Sequence, residues 1–386
     1  MWLKIEASVN SKLKVTWGNG GGNYPDSYDI GAKNLRDEAD NLRARLTELA
    51  DCYESDDARL RRHLLVELAK AGVRLRSALF ATDLARCKIK DLQQWIVEEN
   101  AGGDCQLTIQ ADSSIHVPWG LIYDGAAPPL SPAAAPPAAP PGQAAADSDT
   151  ATAHDDVRAA EIEEFSGFWC LKYSLSAHAH AGYAGARSRM SRPQATFGRL
   201  SLVNSDILEK MQRELSPNEY LQFQKWLQPP IGKAQCLSEC QDLIGKTDCK
   251  DILLYFLGHH RNATLDLGDK SKIDYLEFNQ LIDALVDHSV NSCGLLFLNG
   301  CDTAIGDQDV SLRGVANRPE LCGVIATESK IPTLYAAKFG WRFMDLLATG
   351  NTVAMALAQL RRDCAFWPES LVYGCYAHPD YCIRGS

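Results

Sequence analysis

No run of about 18 apolar residues occurs in this 386-residue chain, so a membrane-spanning helix is not expected. No two cysteines stand at Cys-x-x-Cys spacing, although thirteen are present. An odd, irregular set in a long chain does not read as a disulfide framework, and reduced thiols are expected. The groups Cys375, His378, Cys382 and Cys236, Cys240 lack the paired spacing of a zinc site, so no metal or cofactor is expected. A basic excess is also missing. Net charge is −10, which argues against nucleic acid or an anionic membrane as the main partner. The Gly18 to Gly22 run lacks the Gly-Lys-Ser/Thr ending of a phosphate loop. Met1 to Glu6 lacks the basic and apolar regions of a signal peptide, and with reduced thiols this sets a cytoplasmic expectation. No internal repeat is evident.

Hydrophobic residues make up 46% and charged residues 23%, ordinary proportions for a chain that packs a large core. Two apolar runs stand out. Ile252 to Leu257 leads into Gly258-His259-His260, and Leu295 to Leu298 leads into Asn299-Gly300-Cys301-Asp302. As buried neighbours in a parallel sheet, the two runs would bring imidazole and thiol together at their carboxyl ends, where open α/β sheets hold ligands. A histidine that takes the thiol proton makes the thiolate nucleophile of acyl transfer, with peptide hydrolysis the simplest case. With thirteen cysteines, any one is more often a small buried hydrophobe. Cys301, however, follows the apolar run in a polar turn.

Residues 3 to 17 alternate as a strand hairpin around Asn10-Ser11. Leu35, Leu42, Leu46 and Leu49 follow helical spacing, as do Leu60, Leu64, Leu68, Leu75 and Leu79, which predicts a helical hairpin. Arg59, Arg61, Arg62, Arg74 and Arg76 read as its solvated face. From residue 125 to 156 the chain is Ala/Pro-rich and reads as a disordered or extended insertion within the folded unit. The polar stretch after His259 to Lys272 reads as a loop over the site. Asp274 to Glu277 offers a capping box for a helix through Phe278 and Leu285 that returns the chain to the cysteine strand. Pro332 opens another helix, ending near Gly350, before a last helix and strand.

Four pieces in order carry a resemblance: Ile115 to Ile122, Leu254 to His259, Leu296 to Ala304 and Cys322 to Thr327. Together they resemble the CHAT domain, a member of the caspase-like clan of cysteine peptidases that includes separase. The resemblance covers most of the chain. It implies an α/β fold with a caspase-like, predominantly parallel sheet flanked by helices over residues 106–386, after an N-terminal strand and helical region over 1–105. The implied catalytic dyad is His259 and Cys301. His260 stands where the family usually has glycine, and remains open as an alternative base. Related enzymes imply the backbone N–H groups of His260 and Cys301 as an oxyanion hole. Asn299 stands two before the cysteine, and Asp302 with Glu328 could form an acidic pocket for an arginine or lysine. Lys330 or Arg313 would instead serve an acidic substrate. The implied function is a cysteine endopeptidase acting through a thioester acyl-enzyme on a specific protein substrate, with an activating protein partner, in bacterial defence or regulated cell death. The alternative is a catalytically silent CHAT scaffold or sensor that binds protein partners.

Overall fold

The computed structural model describes residues 2–8, 12–19, 22–55, 57–80, 106–111, 115–130, 147–178, 197–227, 232–234, 236–246, 251–261, 264–268, 271–288, 293–304 and 321–382. The chain begins with β1 (Trp2–Ala7) and β2 (Lys12–Asn19), an antiparallel hairpin as the alternation predicts, and β3 (Gly22–Gly31) extends it. Leu3, Ile5, Leu13 and Val15 point to one buried face, the period-two signature of a half-covered sheet. Helices α1 (Ala32–Ala50) and α2 (Ala58–Leu79) follow and pack on each other through the expected leucines, of which Leu60 stays exposed at the start of α2. Asp57 caps α2 by accepting from the backbone N–H groups of Arg59 and Leu60.

Next, β4 (Gln106–Ala111) runs parallel to β1, and β5 (Ser174–His178) runs parallel to β4. The five-stranded order β3-β2-β1-β4-β5 therefore takes strands from both sides of position 105. Between β4 and β5 the structure departs from the expected linker. Residues Asp147–Glu164 form helix α3, which overlaps the stretch read as extended up to residue 156. Prolines end at Pro141, and the alanine-rich sequence beyond them has the propensity to propagate a helix. The rest of the Pro-rich segment, 131–146, lies outside the described residues.

The larger sheet has six strands: β6 (Phe197–Val203), β7 (Gly232–Ala234), β8 (Asp251–Leu257), β12 (Cys293–Asn299), β13 (Leu321–Thr327) and β14 (Tyr373–Ala377), in the order β14-β13-β12-β8-β6-β7. All neighbours pair in parallel except β13 with β14. The described residues of β8 and β12, and all of β13, are buried on both faces, as continuous apolar runs in the middle of a parallel sheet require. Around the sheet lie α4 (Ser205–Glu214), α5 (Pro217–Leu227), α6 (Leu237–Gly245), α7 (Tyr275–His288), α8 (Thr333–Ala348) and α9 (Val353–Arg361). The architecture is mixed α/β with mostly parallel strands in the larger sheet. Asp274 and Glu277 form the expected reciprocal cap of α7, at 3.0 and 2.8 Å. The stretch to Lys272, however, is not a loop. It forms a three-stranded antiparallel sheet of β9 (His259–Arg261), β10 (Thr264–Gly268) and β11 (Ser271–Ile273), because Leu265, Leu267 and Ile273 alternate into the core.

The arginine-rich face of α2 is not simply solvated. Arg62 grips Glu164 of α3 through two nitrogens, at 2.5 and 2.6 Å, and Arg76 reaches Asp124 at 2.9 Å. Cys322 in β13 is disulfide-bonded, against the expectation of reduced thiols, while eight other described cysteines are free. No helix among the described residues is long and apolar enough to cross a membrane.

Candidate functional site

Register fixes the site. β8 and β12 are adjacent and parallel, with Leu257 opposite Asn299, so the chain leaves both strands at the same sheet edge. The next residues, Gly258 and Gly300, approach so closely that a Cβ on Gly300 would lie 2.5 Å from the Gly258 carbonyl oxygen. Glycine at 300 is therefore a packing requirement, and it carries the histidine pair and Cys301 out side by side. Asp302 follows with φ of 54°, a left-handed conformation that aspartate tolerates better than most residues. That twist turns the chain sharply after the cysteine.

The turn is braced from β13. The Thr303 hydroxyl donates to the Leu298 carbonyl at 2.9 Å, the Thr327 backbone N–H donates to the Thr303 hydroxyl at 2.9 Å, and the Thr327 hydroxyl bonds the Gly300 carbonyl. Backbone bonds Asp302 N–H to Ser329 O, 3.2 Å, and Ala304 N–H to Thr327 O, 2.9 Å, complete the brace. Cys301 is half-buried, its Sγ 3.8 Å from the Ile331 carbonyl oxygen.

The two histidines differ. His260 Nδ1 lies 3.0 Å from the Cys301 carbonyl oxygen, and since a carbonyl only accepts, Nδ1 carries the proton and Nε2 holds a lone pair. Among the described residues, Nε2 is buried without a partner. Burial pushes the His260 pKa down, against the opposing pull of the Cys301 carbonyl and Asp302, so the neutral ring is favoured. His259 is exposed, on the alternate face of β9. His260 also pairs with Leu265 of β10, which places its backbone within the small sheet.

The remaining predicted residues separate. Asn299 is buried, its amide donating to Tyr255 Oη at 3.0 Å and to the Ala336 carbonyl at 2.6 Å, while its oxygen accepts from Tyr373 Oη at 2.8 Å. This network fixes the end of β12 from below. Asp302 is half-buried beside the site; burial raises its pKa and His260 and Lys330 pull it down. Glu328 is 2% exposed, and its Oε2 faces Arg43 Nε of α1 at 3.3 Å. Asp302 thus stays beside the cysteine while Glu328 turns toward the N-terminal helix. Lys330 is exposed and bonds Asp51 at 3.0 Å, and Arg313 lies outside the described residues. Sequence reasoning missed Tyr255, Tyr373 and Arg43, whose partners lie far along the chain, while Thr327, the last residue of the fourth resembling piece and of β13, braces the cysteine turn. Among the described residues no three His, Cys, Asp or Glu side chains gather as a metal site.

Compared with known proteins, the chain matches no family model and no curated relative.

Proposed function

We propose that this protein is a cysteine endopeptidase of the CHAT type within the caspase-like clan. One observation carries the reading: a His259–His260 pair and Cys301 leave the carboxyl ends of adjacent parallel strands in register. The six-stranded, mostly parallel sheet supports it as well. In the proposed reaction His259 accepts the Cys301 proton, the thiolate attacks the scissile carbonyl, and the developing oxyanion is held by backbone N–H groups at Cys301 and His260. The same histidine protonates the leaving amine, and water then hydrolyses the thioester. His260, fixed on the Cys301 carbonyl, positions the nucleophile's peptide group. Asn299 sets the strand end, and Asp302 lies closest for contact with a basic substrate side chain. A protein substrate and a protein activator are the partners this reading requires.

A second reading is a silent scaffold that binds protein partners. It is favoured by His260, whose neutral ring already occupies the Cys301 carbonyl where a family member usually has glycine.

Cleavage of a diverse peptide library, read by mass spectrometry, tests both. Wild type should cut, Cys301→Ala should not, and His259→Ala should lose roughly 10²- to 10⁴-fold as expected for a missing general base. His260→Ala should lose less than His259→Ala; the reverse order would make His260 the base. A folded wild type that neither cuts peptides nor reacts with a thiol-directed probe at Cys301 would favour the scaffold.

A further inference from the structure

We propose that helix α1 restrains the nucleophile: through residues 328–331 it holds the Ile331 carbonyl against the Cys301 sulfur, and loosening that hold makes the cysteine more reactive. The segment joins β13 to α8 and is touched from two sides. On one side its backbone meets the cysteine turn twice. The Ser329 carbonyl accepts from the Asp302 N–H at 3.2 Å, and the Ile331 carbonyl oxygen lies 3.8 Å from Cys301 Sγ. On the other side it meets three side chains of α1 that are one helical turn apart. Arg43 Nε lies 3.3 Å from Glu328 Oε2, Thr47 Oγ1 accepts from the Ser329 hydroxyl at 3.3 Å, and Asp51 accepts from Lys330 Nζ at 3.0 Å. Glu328, Ser329 and Ile331 are buried, and within the segment only Lys330 stands in solvent.

A thiol donates to a carbonyl oxygen, and the same oxygen repels a thiolate, so keeping Ile331 O at the sulfur favours the protonated, unreactive form. The place of that oxygen is set by the backbone of 328–331, and the backbone by its tethers. Toward the sheet the tether is main chain, the Glu328 N–H to the Val372 carbonyl at 2.7 Å. Toward α1 it is made of side chains alone, a cation, a hydroxyl and a carboxylate at helical spacing. A protein that binds this ridge takes those groups from 328–331 and frees the sulfur without breaking the sheet. The activator that the peptidase reading requires would act here. As regulation the inference rests on that reading, whereas the restraint on the thiol does not.

The test is alkylation of the full chain with iodoacetamide at neutral pH, each cysteine being followed by mass spectrometry. Thr47→Val removes a hydroxyl and no charge, and leaves His260, Asp302, Lys330 and Tyr373, the polar groups around Cys301, unchanged. Cys301 should then react faster than in wild type, up to about fivefold, the weight of one ordinary hydrogen bond. Thr47→Ser, which returns a hydroxyl, should restore the wild-type rate. Arg43→Met should act in the same direction, and Arg43→Lys, which keeps a cation for Glu328, should act less. Cys170, Cys240 and Cys375 are buried and free, so their rates report any general loosening of the fold. Because Arg43→Met can fail to fold, Thr47→Val decides. A Cys301 rate that is unchanged or lower in Thr47→Val, or a rise matched by the three buried cysteines, overturns the restraint. The peptide-library assay keeps the two readings apart. Cleavage that needs Cys301, with alkylation indifferent to α1, removes the restraint alone, and faster alkylation in a chain that cuts nothing removes the peptidase reading alone.

Discussion

His260 and Glu369 are perturbed in opposite senses, and each sign gives a separate pH dependence. Burial lowers the His260 pKa, so the unfolded chain, titrating near 6.5, binds more protons in the window below that value. Stability from this group is present at pH 7 and is lost as pH falls through about 6.5 toward the folded value. Burial raises Glu369 to about 7, with its own backbone bond, Arg158 and Arg61 pulling it back. Here the folded chain binds more protons between about 4.3 and 7, so stability falls as pH rises across that range. Urea unfolding at pH 5 and pH 8 separates the two. His260→Gln, which keeps a donor for the Cys301 carbonyl, should remove the acid-side loss. Glu369→Gln should gain on wild type at pH 8 relative to pH 5, and an unchanged difference would show that Glu369 is ionised in the fold. Residue chemistry of this kind was only half legible in the chain. Cys301 and the histidine pair were marked by their place after apolar runs. The hydrogen-bond partner of a side chain, such as Cys301 O for His260, comes from 41 positions away and leaves no local pattern.

At the scale of the element, α1 does more than cover the sheet. Arg43, Thr47 and Asp51 form one i, i+4, i+8 ridge, and they meet Glu328, Ser329 and Lys330 in order, at 3.3, 3.3 and 3.0 Å. That three-residue segment is also the one whose backbone braces the cysteine turn through Ser329. Arg43→Ala leaves Glu328 buried with both oxygens unmatched, and should cost about 3 kcal/mol, the lower end for breaking a buried pair. Asp51→Ala removes a pair between exposed side chains and should change stability little. Chemical denaturation of both variants checks this, and Arg43→Ala with Glu328→Gln should recover part of the loss. The same comparison shows where pattern reading stops. The leucine spacing of α1 and α2 and the cap of α7 were legible because each is local and periodic. A polar ridge of one arginine, one threonine and one aspartate looks like any solvated face until its distant partner is known. Helix α3 was misread because proline-rich composition just before it masked a sequence that is itself helix-compatible.

The whole molecule is assembled so that the N-terminal region cannot be read as a detachable lobe. β1 pairs with β4 in parallel register, Leu3 opposite Ile109, so the middle of the five-stranded sheet joins strands from either side of position 105. Asp124 adds a second tie: it accepts from Arg76 of α2 at 2.9 Å, from Trp169 Nε1 at 3.0 Å and from Lys172 at 2.7 Å. Burial alone would raise its pKa, but Lys172, Trp169 and Arg76 outweigh this and hold it below the usual carboxylate range. The segment that leaves this sheet then meets the larger one, where the Ser176 hydroxyl bonds the Ala377 carbonyl and Arg362 donates to the Leu171 carbonyl at 2.9 and 2.6 Å. Contacts therefore run from α2 through Asp124 and residues 169–176 to β14, and the apolar core among the described residues is one cluster from Leu3 to Tyr381. A fragment 106–386 would expose the edge of β4 that now pairs with β1, on a strand whose Leu107 and Ile109 are buried in the full chain. It should lose the cooperative thermal transition of the full chain and associate through that edge, measurable by circular dichroism and light scattering. Adding residues 1–105 back as a separate chain should restore the transition if the pairing is the cause. A monomeric 106–386 that melts cooperatively at the temperature of the full chain would instead make the N-terminal strands an accessory to an independently folding unit.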